Sequence, residues 1–315
     1  MNKPNPLILE YLKTYPNTGN LTIAKKIYSD HPDKFNSLES VRDRVRYYRG
    51  NKGVKDKKYA KPHIDYLEKL KTDLPKGETE KIEPYYLPKD RKKVLIISDI
   101  HLPYHDDKAL FGAIQFGLEN QVDTIYINGD LLDFGAISKH DNLVTKTSIK
   151  YEIDCAKIFL KGLRENFPNA LIIYKYGNHD LRFDKWIRLK APELLDIEHI
   201  MLSEILSLRE LGIIQLDSAQ WCYMWDYVVL HGHELPMRSG GVNPARATRL
   251  KLNRPAIIGH FHRMTRDIAT IMGKEQYSVY SNGCLCDLSP NYMPINDWNH
   301  SCILVDNGKV IVKEL

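Results

Sequence analysis

Several features that mark whole classes of protein are scarce in this sequence. Only 5 of its 315 residues are cysteines, and no apolar run approaches the roughly 18 to 20 residues that a membrane-spanning helix needs. Five scattered cysteines do not make a disulfide framework, and the first residues lack the long apolar core of a secretory signal. No glycine-rich nucleotide-binding loop is present either. We therefore expect a cytoplasmic protein with reduced thiols and no membrane anchorage.

The spacing of two cysteines leaves one alternative open. Cys284 and Cys286 flank a single residue, which in a strand directs both side chains to the same face. Packing explains this pattern. A metal-binding cysteine pair is the alternative, although structural zinc sites use wider spacing.

The positive charge of the chain is concentrated at one end. The net charge is +5, and residues 1–60 contain 13 Lys and Arg but only 6 Asp and Glu. The remaining residues contain 32 basic and 34 acidic side chains. This asymmetry predicts an anionic partner for the N-terminal region.

Residues 1–50 have the pattern of a small helical domain. Apolar residues recur with helical spacing in three segments, which are separated by Tyr15–Asn20 and His31–Asp33, both rich in helix-breaking residues. Asn36 is a candidate N-cap for the third helix. Three short helices with an arginine-rich last one resemble helix-turn-helix DNA readers. The residues predicted to bind nucleic acid are Arg42, Arg44, Arg46 and Arg49.

Residues 51–93 are rich in Lys, Pro, Gly and Glu and are predicted to form a linker. From residue 94 to residue 315, apolar β-branched runs alternate with amphipathic segments at Lys108–Asn120 and Ser148–Glu165, which is typical of an α/β sheet. Close-set strands after residue 213 predict a second sheet packed on the first. These strands are 267–272, 276–281, 302–306 and 309–313.

Five polar segments each follow one of the short apolar runs. They are Ser98–His101, Gly129–Asp133, Gly177–Asp180, His231–His233 and Gly259–His262. Because strand ends of this kind meet at one edge of a sheet, we expect the side chains to converge. Carboxylate, amide and imidazole ligands suit divalent metals, so the sequence predicts a crevice that holds two of them.

The order of these segments, Asp-x-His, Gly-Asp-x-x-Asp, Gly-Asn-His-Asp, His and Gly-His-x-His, resembles the calcineurin-like metallophosphoesterase superfamily over residues 94–315. The resemblance implies a four-layer α/β/β/α sandwich, here preceded by a small all-α domain. It also implies hydrolysis of phosphoester bonds by a hydroxide shared between two metals, since coordination lowers the pKa of water to about 7. The ligand set suits Mn, Fe, Zn, Co or Ni, among which we favour Mn.

The resemblance further implies a role for each polar residue. Asp130 would bridge the metals, because each carboxylate oxygen can bind one of them. The other ligands would be Asp99, His101 and His262 for the first metal, and Asn178, His231 and His260 for the second.

Residues near these ligands complete the predicted site. His179 would face the leaving-group oxygen as a proton donor or a stabiliser of the transition state, with Asp180 holding its other ring nitrogen. Arg182 is a candidate phosphate clamp, with a surface salt bridge as the alternative. Asp133 and His233 are expected to orient ligands, although backbone hydrogen bonding also explains His233.

The metal core predicts a reaction class, and the N-terminal domain suggests the substrate. We expect a phosphodiesterase that acts on DNA, because a basic helical module would hold a phosphate backbone. One alternative is a small-molecule phosphatase or cyclic-nucleotide phosphodiesterase whose basic domain docks a protein. Another is a DNA-binding regulator with an inactive metal core. A homodimer is left open.

Overall fold

The computed structural model describes residues 5–50, 71, 73–138, 147–236, 242–270 and 276–315. The chain divides into two compact units, residues 1–80 and 81–315. A large part of the predicted linker, residues 51–70 and residue 72, lies outside the described residues. None of the helices in the described ranges is both long and apolar enough to cross a membrane.

The N-terminal unit contains the three predicted helices, α1 (Pro6–Thr14), α2 (Asn20–Asp30) and α3 (Leu38–Tyr48). Their apolar faces meet in a small core, because each helix places its aliphatic residues on one side. The buried members are Ile8, Leu12, Ile23, Ala24, Ile27, Phe35, Val41, Val45 and Tyr48. Helix α3 is capped by Ser37 and not by the predicted Asn36, since the Ser37 hydroxyl accepts the amide of Ser40 at 3.2 Å.

Two six-stranded sheets form the core of the second unit. The strands of the first are β2 (Lys93–Ile97), β3 (Thr124–Asn128), β4 (Leu171–Lys175), β5 (Ile213–Leu216), β11 (Ser301–Asp306) and β12 (Lys309–Glu314). Their order is β12-β11-β2-β3-β4-β5, with β2 to β5 parallel. The strands of the second sheet are β1 (Tyr85–Tyr86), β6 (Cys222–Met224), β7 (Tyr227–Val229), β8 (Ala256–Ile258), β9 (Thr265–Thr270) and β10 (Gln276–Ser281).

Two expectations about the strands are wrong. The segments 302–306 and 309–313 were expected in the second sheet, but they join the first sheet as β11 and β12. Strand β11 pairs antiparallel with β2, which buries the otherwise open edge of the parallel strands. In addition, Tyr85 and Tyr86 belong to the predicted linker, yet they pair with β6 and start the second sheet.

Helices cover the outer faces of both sheets. They are α4 (Asp107–Glu119), α5 (Ile149–Asn166), α6 (Leu181–Lys190), α7 (Leu202–Ile205) and α8 (Pro244–Leu252). Helices α4 and α5 match the predicted segments to within one residue. Alternate residues of β2 face opposite ways: Leu95 and Ile97 contact the helix layer, whereas Val94 and Ile96 contact the second sheet. Helix α8 packs on the far side of the second sheet, which confirms the four-layer sandwich.

Candidate metal centre

The five predicted polar segments lie at the carboxyl ends of five strands. Three of these strands, β2, β3 and β4, are parallel neighbours in the first sheet, and β7 and β8 are parallel neighbours in the second. The two sheets pack face to face, so both sets of strand ends open on the same crevice. The topology therefore brings the predicted ligands together.

Imidazole nitrogens and carboxylate oxygens are close to one another in this crevice. His231 Nε2 lies 3.1 Å from Asp130 Oδ2, and His262 Nε2 lies 3.3 Å from Asp99 Oδ1. His101 Nε2 lies 3.2 Å from His262 Nε2 and 3.9 Å from Asp130 Oδ2. All five side chains are buried. Such a cluster of buried donor atoms fits divalent cations, because buried charges need a partner of opposite sign.

His260 extends the cluster on the side of His231, and Asn178 contributes a further buried polar atom. The ring of His260 packs edge-on against that of His231, and both histidines can share an ion with Asp130. Asn178 Oδ1 is buried and has no hydrogen-bond partner. An orphaned buried amide oxygen beside carboxylates is the fit expected of a metal ligand, since leaving it unpaired is otherwise costly.

The ring orientation of three histidines is set by contacts on the side away from the cluster. His231 Nδ1 donates to the carbonyl of Asn128 at 2.6 Å, and His101 Nδ1 lies 3.1 Å from Asp133 Oδ1. His262 Nδ1 faces the sulfur of Cys286 at 3.7 Å. Each Nε2 atom is thereby directed into the crevice, as outer partners of metal-binding histidines do.

The cysteine pair lies beside the cluster, on its outer side. Cys284 and Cys286 are both buried, and Cys286 contacts the outer nitrogen of His262. Cys286 thereby has a contact with His262 that the sequence analysis missed, and together with His101 and His262 it forms a group whose ligand atoms are close enough to hold an ion. The packing interpretation of the pair stays a prediction. The single signal in the sequence was that the pair follows the buried strand β10.

Five of the seven predicted ligands have left-handed backbone conformations. The φ angles are 55° for Asp99, 50° for His101, 52° for Asp130, 71° for His260 and 57° for His262. Residues other than glycine rarely adopt the left-handed backbone region, and strained backbone of this kind concentrates at functional sites. The strained backbone is therefore evidence for a functional role of these residues, and this evidence does not depend on the chemistry of their side chains.

Two glycines let the segments approach each other. A Cβ atom at Gly177 would lie 2.1 Å from Asp130 Oδ1, and one at Gly129 would lie 2.3 Å from His231 Nδ1. Neither contact is sterically possible. Gly129 also has a φ of 87°. Both glycines are therefore required for the convergence of Asp130, His231 and the β4 segment.

The crevice stabilises positive charge. Burial lowers the pKa of His231, but Asp130 and Asp99 outweigh this effect and raise it to about 9. Burial likewise lowers the pKa of His262, whereas Asp99 raises it to about 10. For Asp99 itself, burial raises the pKa but His262 and His231 bring it down to about 2. Asp99 is therefore held in its ionised form inside the crevice, and an ionised carboxylate there would stabilise a bound cation.

Asp133 connects two histidines. Its Oδ1 atom lies 3.1 Å from His101 Nδ1 and 3.2 Å from His179 Nδ1, and the two rings meet edge-on. Burial raises the pKa of Asp133, but the hydrogen bonds of the two histidines outweigh it and hold that pKa far below its ordinary value. Asp133 thus contacts the outer ring nitrogens of both histidines, and its role in orienting a metal ligand stays a prediction.

Arg182 makes no salt bridge within the described part of the chain, which removes the surface salt-bridge alternative, and the phosphate clamp stays a prediction. Its guanidinium donates to His179 Nε2 at 2.9 Å and to the carbonyl of Asp133 at 2.9 Å. His179 Nδ1 also donates to that carbonyl, at 2.9 Å. The His179 ring is therefore held between Asp133 and Arg182. His179 lies just before α6 and Arg182 is the second residue of that helix; the turn between them, in which the Arg182 amide donates to the His179 carbonyl at 2.9 Å, brings the two side chains together.

Asp180 has a different role from the one expected. It was predicted to hold the outer ring nitrogen of His179, but that contact belongs to Asp133. The Asp180 carboxylate instead accepts the amides of Asp130, Leu132 and Gly177 at 2.8, 3.1 and 2.8 Å. It is buried and ties the β3 segment to the β4 segment. Its correct description is a backbone anchor for Asp130.

A buried ion pair supports the His231 segment and was missed by the sequence analysis. Glu234 accepts the amides of His231 at 3.2 Å and Gly232 at 2.7 Å, and it lies 2.9 Å from Lys175 Nζ. Burial lowers the pKa of Lys175, and Lys175 in turn helps to bring the pKa of Glu234 down to about 2 against burial. The sequence feature that could have predicted this ion pair is the lysine at the end of the apolar β4 run, because a buried lysine needs an acidic partner.

His233 lies next to this ion pair. Its ring packs against His231 and His260, and its Nδ1 atom is 3.5 Å from Glu234 Oε2. Burial lowers its pKa to about 4, so it stays neutral around physiological pH. This position is compatible with the orienting role predicted for it.

The four predicted nucleic-acid-binding arginines differ from one another. Arg44 is exposed on α3, Arg46 is half-buried, and Arg42 lies 3.3 Å from Glu39. Arg49 is used inside the unit: its guanidinium donates to Asn20 Oδ1 at 2.9 Å and to the carbonyls of Tyr15, Pro16 and Thr18. Arg49 therefore secures the turn between α1 and α2, and the prediction that it binds nucleic acid is withdrawn.

Comparison with known proteins gives one family match. The model of a family described as calcineurin-like phosphoesterase matches residues 92–286. The Gene 54 proteins of Mycobacterium phages L5 and D29 are each 26% identical over 181 and 179 residues, which is 55% of this chain and 69% of theirs. A solved structure of Yfce, a phosphoesterase from E. coli, is 17% identical with a TM-score of 0.35 and covers 68% of this chain and 88% of its own. The Pseudomonas putida nuclease MPE is 13% identical with a TM-score of 0.31, covering 70% and 87%.

Proposed function

The chain belongs to the calcineurin-like phosphoesterase family and is a metal-dependent phosphoesterase; from this premise we propose that it is a phosphodiesterase that cleaves DNA. The observation that supports the reaction is the convergence of carboxylate, imidazole and amide donors at the carboxyl ends of five strands. The observation that supports the substrate is the presence of Arg42, Arg44 and Arg46 on α3 in the N-terminal unit.

We assign the metal-binding residues as the sequence suggested. Asp130 is placed centrally, within 4 Å of both His101 and His231, which suits a bridging carboxylate. The first metal would be held by Asp99, His101, Asp130 and His262, and the second by Asp130, Asn178, His231 and His260. Two divalent metals, for which Mn²⁺ is our choice, would supply an activated water and polarise the phosphoryl oxygens.

The residues around the metals would handle the leaving group. We assign His179 and Arg182 to the leaving oxygen as one unit, because the guanidinium is already on His179 Nε2 and both groups stabilise negative charge. Asp133 holds the other side of the His179 ring and fixes its orientation. Protonation of the leaving oxygen by His179 would require Nε2 to carry a proton and the Arg182 guanidinium to move from Nε2 to the substrate.

The arginines of α3 would hold the phosphate backbone. Arg42 and Arg46 are four residues apart and share one side of α3, whereas Arg44 lies on another side. Contacts to phosphates from arginine are strong and independent of sequence. We expect them to raise the local concentration of DNA and to contribute nothing to the hydrolysis of small esters.

An activity panel with added Mn²⁺ tests the proposal. The purified full-length chain should nick plasmid DNA or degrade single-stranded DNA, and it should hydrolyse bis(para-nitrophenyl) phosphate. Turnover of para-nitrophenyl phosphate alone would instead support the small-molecule phosphatase. Cleavage of cyclic nucleotides without DNA cleavage would support the cyclic-nucleotide phosphodiesterase.

A triple variant separates the substrate proposal from the reaction. Replacing Arg42, Arg44 and Arg46 by alanine should weaken DNA cleavage about tenfold or more at moderate salt while leaving bis ester hydrolysis unchanged. A replacement of Lys13, Lys25 and Lys26 in the same unit is the matched control for lost charge. Equal DNA cleavage by the arginine variant and the wild type would remove the reason for assigning DNA to this unit.

A further inference from the structure

A second groove lies in the catalytic unit, outside the metal centre. It has a volume of about 720 Å³, which is within the range of ligand pockets, and nine residues line it. Three of them carry aromatic rings, four are Lys or Arg, and none is Asp or Glu. The groove therefore combines flat apolar surfaces with positive charge.

The aromatic rings of the groove are accessible. Tyr86 stacks on Tyr223 with ring centres 5.2 Å apart and an angle of 23° between the planes. Tyr86 nevertheless leaves 66% of its surface exposed, and Trp225 leaves 38% exposed. Stacked, exposed rings present a flat apolar face on which a planar ligand can stack.

The charges lie beside these rings. The Arg254 guanidinium sits 5.0 Å above the centre of the Tyr223 ring and donates to its hydroxyl at 3.0 Å. Lys89 and Lys92 are exposed at the groove. Asp90 lies 3.7 Å from Arg91 and offsets one of the four charges, so an excess of positive charge remains.

The position of the groove separates it from the metal centre. Lys92 directly precedes β2, Trp225 lies in the turn before β7, and Arg254 lies just before β8. The same three strands lead, two residues after their last residue, to Asp99, His231 and His260. Groove and metal centre therefore occupy opposite ends of the strands, and a five-residue strand such as β2 spans roughly 16 Å.

We propose that this groove binds single-stranded nucleic acid, with bases stacked on Tyr86 and Trp225 and phosphates held by Lys89, Lys92 and Arg254. Aromatic faces interleaved with basic side chains are the chemistry that recognises a single strand without regard to its sequence. A duplex hides its base faces, so the groove discriminates in favour of unpaired strands. The site is independent of hydrolysis and stands even if DNA is not the substrate of the metal centre.

Binding of a single strand by the full-length, metal-loaded chain tests this inference. The probe is a fluorescent phosphorothioate oligonucleotide of about twenty thymidines, long enough for one or two binding segments. The background carries the alanine substitutions of Arg42, Arg44 and Arg46, so that the N-terminal arginines do not contribute. Anisotropy is measured for Tyr86→Ala, Trp225→Ala and Arg254→Glu, with Phe111→Ala on α4 as control because it is also 66% exposed.

We expect each groove variant to lose about tenfold in affinity, and Arg254→Glu also to reduce the salt dependence of binding. Phe111→Ala should bind like the parent, and all of these variants should hydrolyse small esters at the parent rate. Photo-crosslinking with a bromodeoxyuridine strand should label the peptides that contain Tyr86 or Trp225. This label reports on the groove even if a variant folds poorly.

Four outcomes would overturn the inference. Unchanged affinity in all groove variants would exclude the groove as a binding site, as would crosslinks confined to other peptides. Equal binding of thymidine monophosphate would show a mononucleotide site and not a strand site. If heparin or an acidic peptide bound as tightly as the oligonucleotide, and Tyr86→Ala did not weaken that binding, the groove would recognise negative charge and not bases.

Discussion

The metal centre and the arginines of α3 use charge in opposite ways. At the metal centre most of the charged and polar groups are buried, they follow five separate strands, and five of the seven predicted ligands have left-handed backbone. On α3 the arginines lie on one regular helix, and Arg44 is exposed to solvent. Buried charges interact strongly and need exact partners, whereas exposed ones are weakened by water and salt. Substitutions should therefore be severe in the first region and mild in the second.

The strongest effect is expected for Asp130→Ala. The substitution removes the carboxylate that lies within 4 Å of both His101 and His231. Both metals should be lost, and kcat/KM for bis(para-nitrophenyl) phosphate should fall on the order of a thousandfold or more. Metal content by plasma mass spectrometry and the rate are measured together. Asp154→Ala, which changes an exposed carboxylate on α5, is the control, and substantial activity in Asp130→Ala would contradict the bridging role.

His179→Ala should separate metal binding from catalysis. We expect the metal content to stay normal and kcat to fall roughly a hundred- to a thousandfold, because a proton donor contributes an effect of this size. The loss should grow as the leaving group becomes more basic, which a series of substituted phenyl esters measures. His199→Ala, at an exposed histidine, serves as control. A loss that is equal for all leaving groups would argue against a role at the leaving oxygen.

The buried pair of Lys175 and Glu234 should show the cost of an unpaired buried charge. Lys175→Met or Glu234→Gln alone should lower the free energy of unfolding by about 3 kcal/mol, because each leaves the other group buried without its partner. The double variant should be less destabilised than the sum of the two. Urea unfolding measures these changes.

Metal titration of the same variants tests whether the pair supports the centre. Glu234→Gln should weaken metal affinity roughly ten- to a hundredfold, since Glu234 holds the amides of His231 and Gly232. Metal affinity equal to the wild type, in a variant that is folded, would limit the pair to a role in stability.

The arginines of α3 should give the smallest effects and should differ among themselves. Arg49→Ala should destabilise the N-terminal unit by about 1–3 kcal/mol, because it removes hydrogen bonds from a charged group to the turn after α1. Arg44→Ala should change stability by less than about 0.5 kcal/mol and weaken DNA binding a few-fold. Circular dichroism melting and DNA binding are measured in parallel. The reverse pattern would restore Arg49 as a DNA contact and remove Arg44.

The sequence by itself determined the layout of the catalytic unit. Short apolar runs predicted β2, β3, β4, β7 and β8, and each ligand segment follows its run because residues at strand ends must leave the sheet. Amphipathic spacing located α4 and α5 to within one residue. These properties are local, since each depends on a few neighbouring residues in the chain.

Only the tertiary structure decided which residues meet. Asp180 could be expected to hold His179 because the two are neighbours in sequence. In the folded chain the β3 and β4 segments meet so that Asp133 contacts His179, and Asp180 accepts the backbone amide of Asp130. Arg49 is the C-cap of the helix that carries the exposed Arg44, yet the packing of α1 and α2 supplies it with acceptors. The sequence pattern of β11 and β12 does not indicate which sheet they join. The pairing of β11 with β2, and of β12 with β11, placed them in the first sheet. Partners distant in sequence are selected by packing and burial across the whole unit, and no local pattern encodes that selection.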